Sequence, residues 1–135
     1  MKTIKAIIEK GTDGLYSIYI QGIDGLFGAD ETEAEAKAEL NEAIDMAKEH
    51  AEETGTWGDY APLKGGFKID YIYDLSGFFK TFDFFNVSAL ANTLNLNGSL
   101  LRRYKSGKSK ASDAQKKKVE KGIHSIARQL SIARF

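Results

Sequence analysis

The chain has 135 residues, 42% of them hydrophobic and 28% charged, which suits one domain or two small ones and argues against wholesale disorder. Cysteine is absent, which excludes disulfides, thiolate nucleophiles and cysteine-ligated zinc, and no apolar run reaches the roughly 18 residues that span a bilayer. The basic and acidic residues cancel to zero, yet residues 1–60 carry a net −9 and residues 86–135 a net +9, a polarity that points to different partners for the two ends.

In residues 2–9, Ile4, Ala6 and Ile8 alternate with Thr3, Lys5 and, imperfectly, Ile7, a predicted strand. Asp13-Gly14 marks a hairpin turn into a second strand, Leu15 to Ile20, with Tyr16, Ile18 and Ile20 on one face. Gly22, Gly25 and Gly28 punctuate a short third strand around Leu26-Phe27, where they serve tight turns through their free φ. Thr32, with Glu35 three residues on, opens a helix with the spacing of a capping box. Ala36, Leu40, Ala43, Ile44, Ala47 and Ala51 then give that helix a narrow, mostly alanine stripe under an acidic outer face. Residues 54–66 are loop by composition, and Phe67, Ile69, Tyr71 and Tyr73 alternate as a fourth strand. Residues 1–73 are thus expected to form a β-β-β-α-β unit, an antiparallel-rich sheet with one helix, and the fold class is α+β.

Residues 74–135 are helical in pattern, a second unit. Ser76 is placed to cap a helix running toward Phe85, Ser88 a second through Leu94, Asn97 a third through Lys105 and Ser112 a long fourth. On the last helix Val119, Ile123, Ile126 and Leu130 form a heptad-like stripe, the candidate seam of a homodimer.

Residues 90–108 combine two short helices with the turn Asn95-Leu96-Asn97, the arrangement of a helix-turn-helix. Ala91 is small where the helices cross, Leu94, Leu96 and Leu101 are spaced to fill the wedge, and Asn95 stands where glycine is usual because the turn needs a residue near the left-handed region. This stretch resembles the helix-turn-helix of the lambda-repressor/XRE-like DNA-binding family. With the second of those helices in the major groove, Gly98, Ser99 and Arg102 face base edges, an arginine there pairing bidentately with guanine. Arg103, Lys105, Lys108 and Lys110 are assigned to phosphates, and Asn97 to a phosphate at the helix start.

Other constellations fail. Gly107-Lys108-Ser109 ends like a P-loop, but the position of the motif's first glycine is Arg102 and no strand precedes it. His50 and His124 stand apart, so no metal site is expected, and no cofactor site. The carboxylates cluster on one helical segment, whereas two-metal nuclease chemistry draws them from several elements; no catalytic residue is assigned and the chain is not expected to be an enzyme. Glu35, Glu39 and Glu42 on the acidic helix face, with Trp57 and Tyr60 in the loop, are candidate contacts for a protein partner.

Nearly the whole chain resembles the HicB-type antitoxin family. The residues that carry the likeness are the opening strand–Asp13-Gly14–strand, then Asp24-Gly25 and Gly28, then Thr32…Glu35-Ala36…Leu40…Ala43-Ile44, followed by the helix-turn-helix. Gly22-Ile23-Asp24-Gly25 departs from the proline-rich loop common there. The resemblance implies a partial RNase H-like unit without catalytic residues that sequesters a small basic mRNA-cleaving toxin of the HicA type. It also implies a C-terminal unit that represses its own operon by binding double-stranded operator DNA as a homodimer or higher oligomer. The acidic half suits a cationic toxin and the basic half suits DNA. The rival expectation is a stand-alone transcriptional regulator whose N-terminal unit senses a ligand or protein. A cytoplasmic location is expected, because the N-terminus lacks a signal peptide's apolar core and cleavage site.

Overall fold

A computed structural model describes all residues, Met1–Phe135. The chain is mixed α/β, with one four-stranded sheet and several helices, as an α+β class requires. Strands β1 (Lys2–Lys10), β2 (Tyr16–Ile20) and β3 (Phe27–Asp30) are followed by helix α1 (Glu33–Thr54), a 3-10 turn at Gly58–Leu63 and strand β4 (Phe67–Tyr73). Helices α2 (Leu75–Thr81), α3 (Val87–Thr93), α4 (Gly98–Ser106) and α5 (Asp113–Ile132) complete the chain.

The sheet order is β3-β2-β1-β4. Consecutive strands β1, β2 and β3 pair antiparallel, whereas β4 lies parallel to β1, with Ile4 opposite Ile69 and Ala6 opposite Tyr71. A parallel neighbour needs a long crossover, and α1 supplies it. Ile4, Ala6, Ile8, Tyr16, Ile18 and Ile20 point to one face and bury there against Ala36, Leu40, Ile44 and Ala47. The alanine stripe brings α1 close, and Gly28 brings it closer: a Cβ added there would lie 2.0 Å from the Ala36 carbonyl oxygen and 2.7 Å from the Leu40 amide nitrogen. Gly22 and Gly25 do occupy the left-handed region, but Gly28 does not. Its reason is the helix above it rather than a turn.

The Thr32 cap is half the expected box. Thr32 Oγ1 accepts from the Glu35 amide at 3.1 Å, but the Glu35 carboxylate takes the Thr32 hydroxyl instead of its backbone amide. The segment expected as plain loop contains the 3-10 turn, which places Leu63 in the core and packs Trp57 and Tyr60 half-buried against it.

A second apolar cluster gathers Leu75, Phe79, Val87, Leu90, Ala91, Leu101, Tyr104, Ala111 and Val119. Two caps there differ from expectation. Asp74, not Ser76, caps α2, accepting from the Ser76 amide at 3.1 Å. Asn86, not Ser88, caps α3, accepting from the Ala89 amide at 3.0 Å. Aspartate and asparagine compete with serine on equal terms as caps, and each serine has other work. Ser76, buried, donates to Asp74 and accepts from the Lys10 amide at 3.0 Å. Helix α2 stops at Thr81, short of Phe85.

The two clusters meet across α2. The Asp74 amide donates to the Ile8 carbonyl at 2.9 Å, and at Gly77 an added Cβ would lie 2.2 Å from that same oxygen. The Tyr16 hydroxyl lies 2.9 Å from Thr81 Oγ1, and Thr81 and Tyr73 both donate to Glu33 at the start of α1. Burial first, and then the Glu33 carboxylate, push the Tyr73 phenol up to about 12, so it remains a donor at ordinary pH. At Glu33 burial favours the neutral acid, but donation from Tyr73, Lys37 and Thr81 outweighs it and holds the carboxyl below its ordinary 4.5. A lowered folded value stabilises the fold above the unfolded value, and that contribution disappears as pH falls through the folded value. Thermal melts should therefore find Glu33→Gln less stable than wild type at about pH 6, with the gap narrowing as pH falls below the ordinary carboxylate range. A gap that stays constant would show that the carboxylate charge contributes nothing.

Candidate nucleic-acid interface

The turn between α3 and α4 is set by one backbone position. Asn95, at φ +57°, is the sole non-glycine residue in the left-handed region. Around it the Leu96 amide donates to the Ala91 carbonyl at 2.8 Å and the Asn95 amide to the Asn92 carbonyl at 3.2 Å, the paired bonds that close a helix with a left-handed residue. Asparagine tolerates that conformation better than alanine. Asn95→Ala is expected to cost about 1 kcal/mol and Asn95→Gly to cost nothing, read by urea unfolding; equal effects would mean that the turn does not depend on this φ.

Ala91 is buried where α3 and α4 cross, Leu101 and Tyr104 bury the inner face of α4, and Leu94, Leu96 and Leu100 pack half-buried around them. That leaves Ser99, Arg102, Arg103 and Lys105 on the outer face, with Lys108 following Gly107, a left-handed cap at φ +82°. Three residues assigned to base reading stand together. The Arg102 guanidinium donates to Ser99 Oγ at 3.1 Å and, across to α3, to Ser88 Oγ at 2.7 Å. A Cβ on Gly98 would lie 3.3 Å from Arg102 Nη1, so the absence of a side chain there gives the guanidinium room. Ser88, expected only as a cap, is therefore the position that sequence reading missed.

The residues assigned to phosphates divide. Lys105 and Lys108 are exposed, and Arg103 is exposed with its Nε donating to Ser109 Oγ at 2.9 Å. Asn97 is exposed, but its side-chain oxygen accepts from the Leu100 amide at 3.0 Å, so it caps α4. Lys110 reaches back to Glu9 on β1 at 2.5 Å. Burial disfavours that ammonium, but Glu9 and the charge of Asp74 outweigh it and raise its pKa. Lys110 thus braces the sheet to the helices, and with 63% of its side chain still exposed its ammonium stays at the surface beside the other cations.

The acidic candidates also divide. Glu39 accepts from the Ala29 amide at 2.8 Å, which ties α1 to β3, and Glu35 serves the Thr32 cap. Glu42 is exposed, as are Asp45, Glu49, Glu52 and Glu53 further along α1. Trp57 and Tyr60 lie on the core rather than out in solvent.

A cleft of about 660 Å³ opens between β4, α2 and α5, floored by Tyr73, Phe78 and Phe82 and walled by Val119 and Ile123. No cluster of three or more histidine or carboxylate side chains is placed to hold a metal ion, and no helix is long and apolar enough to cross a membrane. Comparison of the chain with protein-family models, with curated proteins and with solved structures finds no match.

Proposed function

We propose that this protein is a sequence-specific DNA-binding repressor whose acidic N-terminal unit sequesters a small basic polypeptide, an antitoxin of the HicB kind. The observation that carries the reading is the α3–Asn95 turn–α4 pair, closed by its left-handed asparagine, with Ser99 and Arg102 outward beside a cationic flank. In this reading α4 is the recognition helix of a helix-turn-helix. Gly98, Ser99 and Arg102 read base edges, while Arg103, Lys105 and Lys108 hold phosphates. The exposed carboxylates of α1 steer the cationic partner.

Fluorescence anisotropy with duplex DNA from upstream of the protein's own reading frame tests the first half. Lys108→Ala should weaken operator and random duplex alike and lower the salt slope by about 1. No binding at low salt would end the reading. Co-purification from the native host tests the second half, and the expected companion is a short basic protein whose binding weakens with salt.

The cleft beside α5 favours a second reading, a regulator that senses a small molecule, since its volume lies within the usual range of ligand sites. Capture of a metabolite in place of a basic protein would select it.

A further inference from the structure

The cleft between β4, α2 and α5 joins two chemistries, an aromatic floor and a cationic rim. The floor is a triangle of rings. Tyr73 meets Phe78 and Phe82 edge-on, each at 6.2 Å between centroids, and Phe78 and Phe82 lie 4.9 Å apart. All three are half-buried and line the cleft, so part of each ring stays open to it. The Tyr73 hydroxyl is bound to Glu33, so what Tyr73 offers a guest is ring carbon.

At the rim stand Lys5 of β1 and Lys116 and Lys117 of α5. A polar groove sharing Lys117, Glu120 and His124 continues along α5 to Lys121 and Arg128. Those five cations face two carboxylates, Asp113 and Glu120. Asp113 lies in the first turn of α5, where it offsets the positive end of the helix itself. Glu120 pairs with no lysine, since the protein's two ion pairs, Lys37–Glu33 and Lys110–Glu9, lie elsewhere. Lys117 and Lys121 are four residues apart on one helix, a spacing at which like charges destabilise it. An anion in the cleft would relieve that repulsion.

The phosphates of a duplex would satisfy the cations alone, and a purely apolar guest the rings alone. We infer that the cleft binds a small organic acid: a planar aromatic body seated on Tyr73, Phe78 and Phe82, with its carboxylate held by Lys116 and Lys117. Aromatic rings gain from edge-on and offset contact with one another, and a half-open triangle of rings leaves such positions free. The inference deepens the second reading above, a ligand-sensing regulator, by naming the ligand's chemistry, and to that extent it rests on that reading. Its test measures binding without DNA, so the site and its regulatory role fail separately.

The probe is 2-naphthoate, titrated into the full chain by isothermal calorimetry. The affinity usual for a ligand of that size is a dissociation constant of about 100 μM. The neutral 2-naphthalenemethanol, which lacks the charge, and octanoate, which lacks the rings, should each bind roughly tenfold more weakly. Lys116→Gln combined with Lys117→Gln should erase the preference for naphthoate over the alcohol and leave the alcohol's affinity unchanged. Phe82→Ala should weaken both ring compounds roughly fivefold; should that variant fail to fold, the lysine pair on the helix surface still decides. No heat at millimolar naphthoate, or binding that the lysine pair leaves untouched, overturns the site. Octanoate bound as tightly as naphthoate overturns its aromatic character. Naphthoate that binds as expected but leaves the affinity for operator duplex unchanged upholds the site and ends the sensing reading.

Discussion

Gly28→Ala is expected to destabilise the protein by about 3 kcal/mol and lower its melting temperature by about 10 °C. The added methyl meets the Ala36 carbonyl oxygen and the Leu40 amide nitrogen, both main-chain atoms of α1. A flexible side chain can rotate away from such a contact, but a hydrogen-bonded helix has to shift as a body. Its stripe would then lift from Ile18 and Ile20, which are at most 2% exposed. Against a total of about 5–15 kcal/mol, this is a large fraction of the stability. Gly25→Ala provides the contrast: it has positive φ and open space around it, so it should cost only about 1 kcal/mol. Urea unfolding of the three proteins decides the matter. A Gly28 variant no worse than the Gly25 variant would mean that β3 and α1 are not pressed together.

Arg102→Ala has the largest expected effect on the proposed activity. Loss of a bidentate arginine–guanine contact costs about 1–3 kcal/mol on the preferred duplex, with a much smaller loss on random DNA, so the ratio between them collapses. The clasp refines this. Ser88 holds one end of the guanidinium from α3 and Ser99 another from α4, so in the proposed complex the arginine would meet the duplex already oriented and lose less rotamer entropy on binding. Ser88→Ala should therefore reduce discrimination by roughly threefold while leaving the salt slope unchanged. Equal losses on both duplexes for Arg102→Ala would remove it from base reading and make it one more phosphate contact.

Periodicity made the strands and α1 legible because each buries one face, so every second or every third-to-fourth residue records the core. Asn97 and Ser112 were legible as caps because no stronger competitor stood nearby. Asp74 and Asn86 displaced Ser76 and Ser88 because those two serines are bound to distant partners, Lys10 and Arg102, that local sequence does not reveal. The same holds for Lys110. It reads as one cation of a basic run, and only the fold brings Glu9, far away in the chain, to meet it. Gly28 looked like a turn glycine because close approach and positive φ leave the same letter in a sequence. The outward set of Ser99, Arg102, Arg103 and Lys105 was legible because helical spacing separates it from Leu101 and Tyr104.

A single residue, Asp74, separates the last strand from α2, and α2 is seated on β1 through Gly77. The chain has no slack there for the two halves to swing independently. Cargo gripped by one half would ride at a fixed height and bearing above whatever the other half holds, so steric exclusion between the two loads is decided by the cargo's own girth. Lengthening that joint by a few flexible residues would turn an obligatory geometry into an optional one.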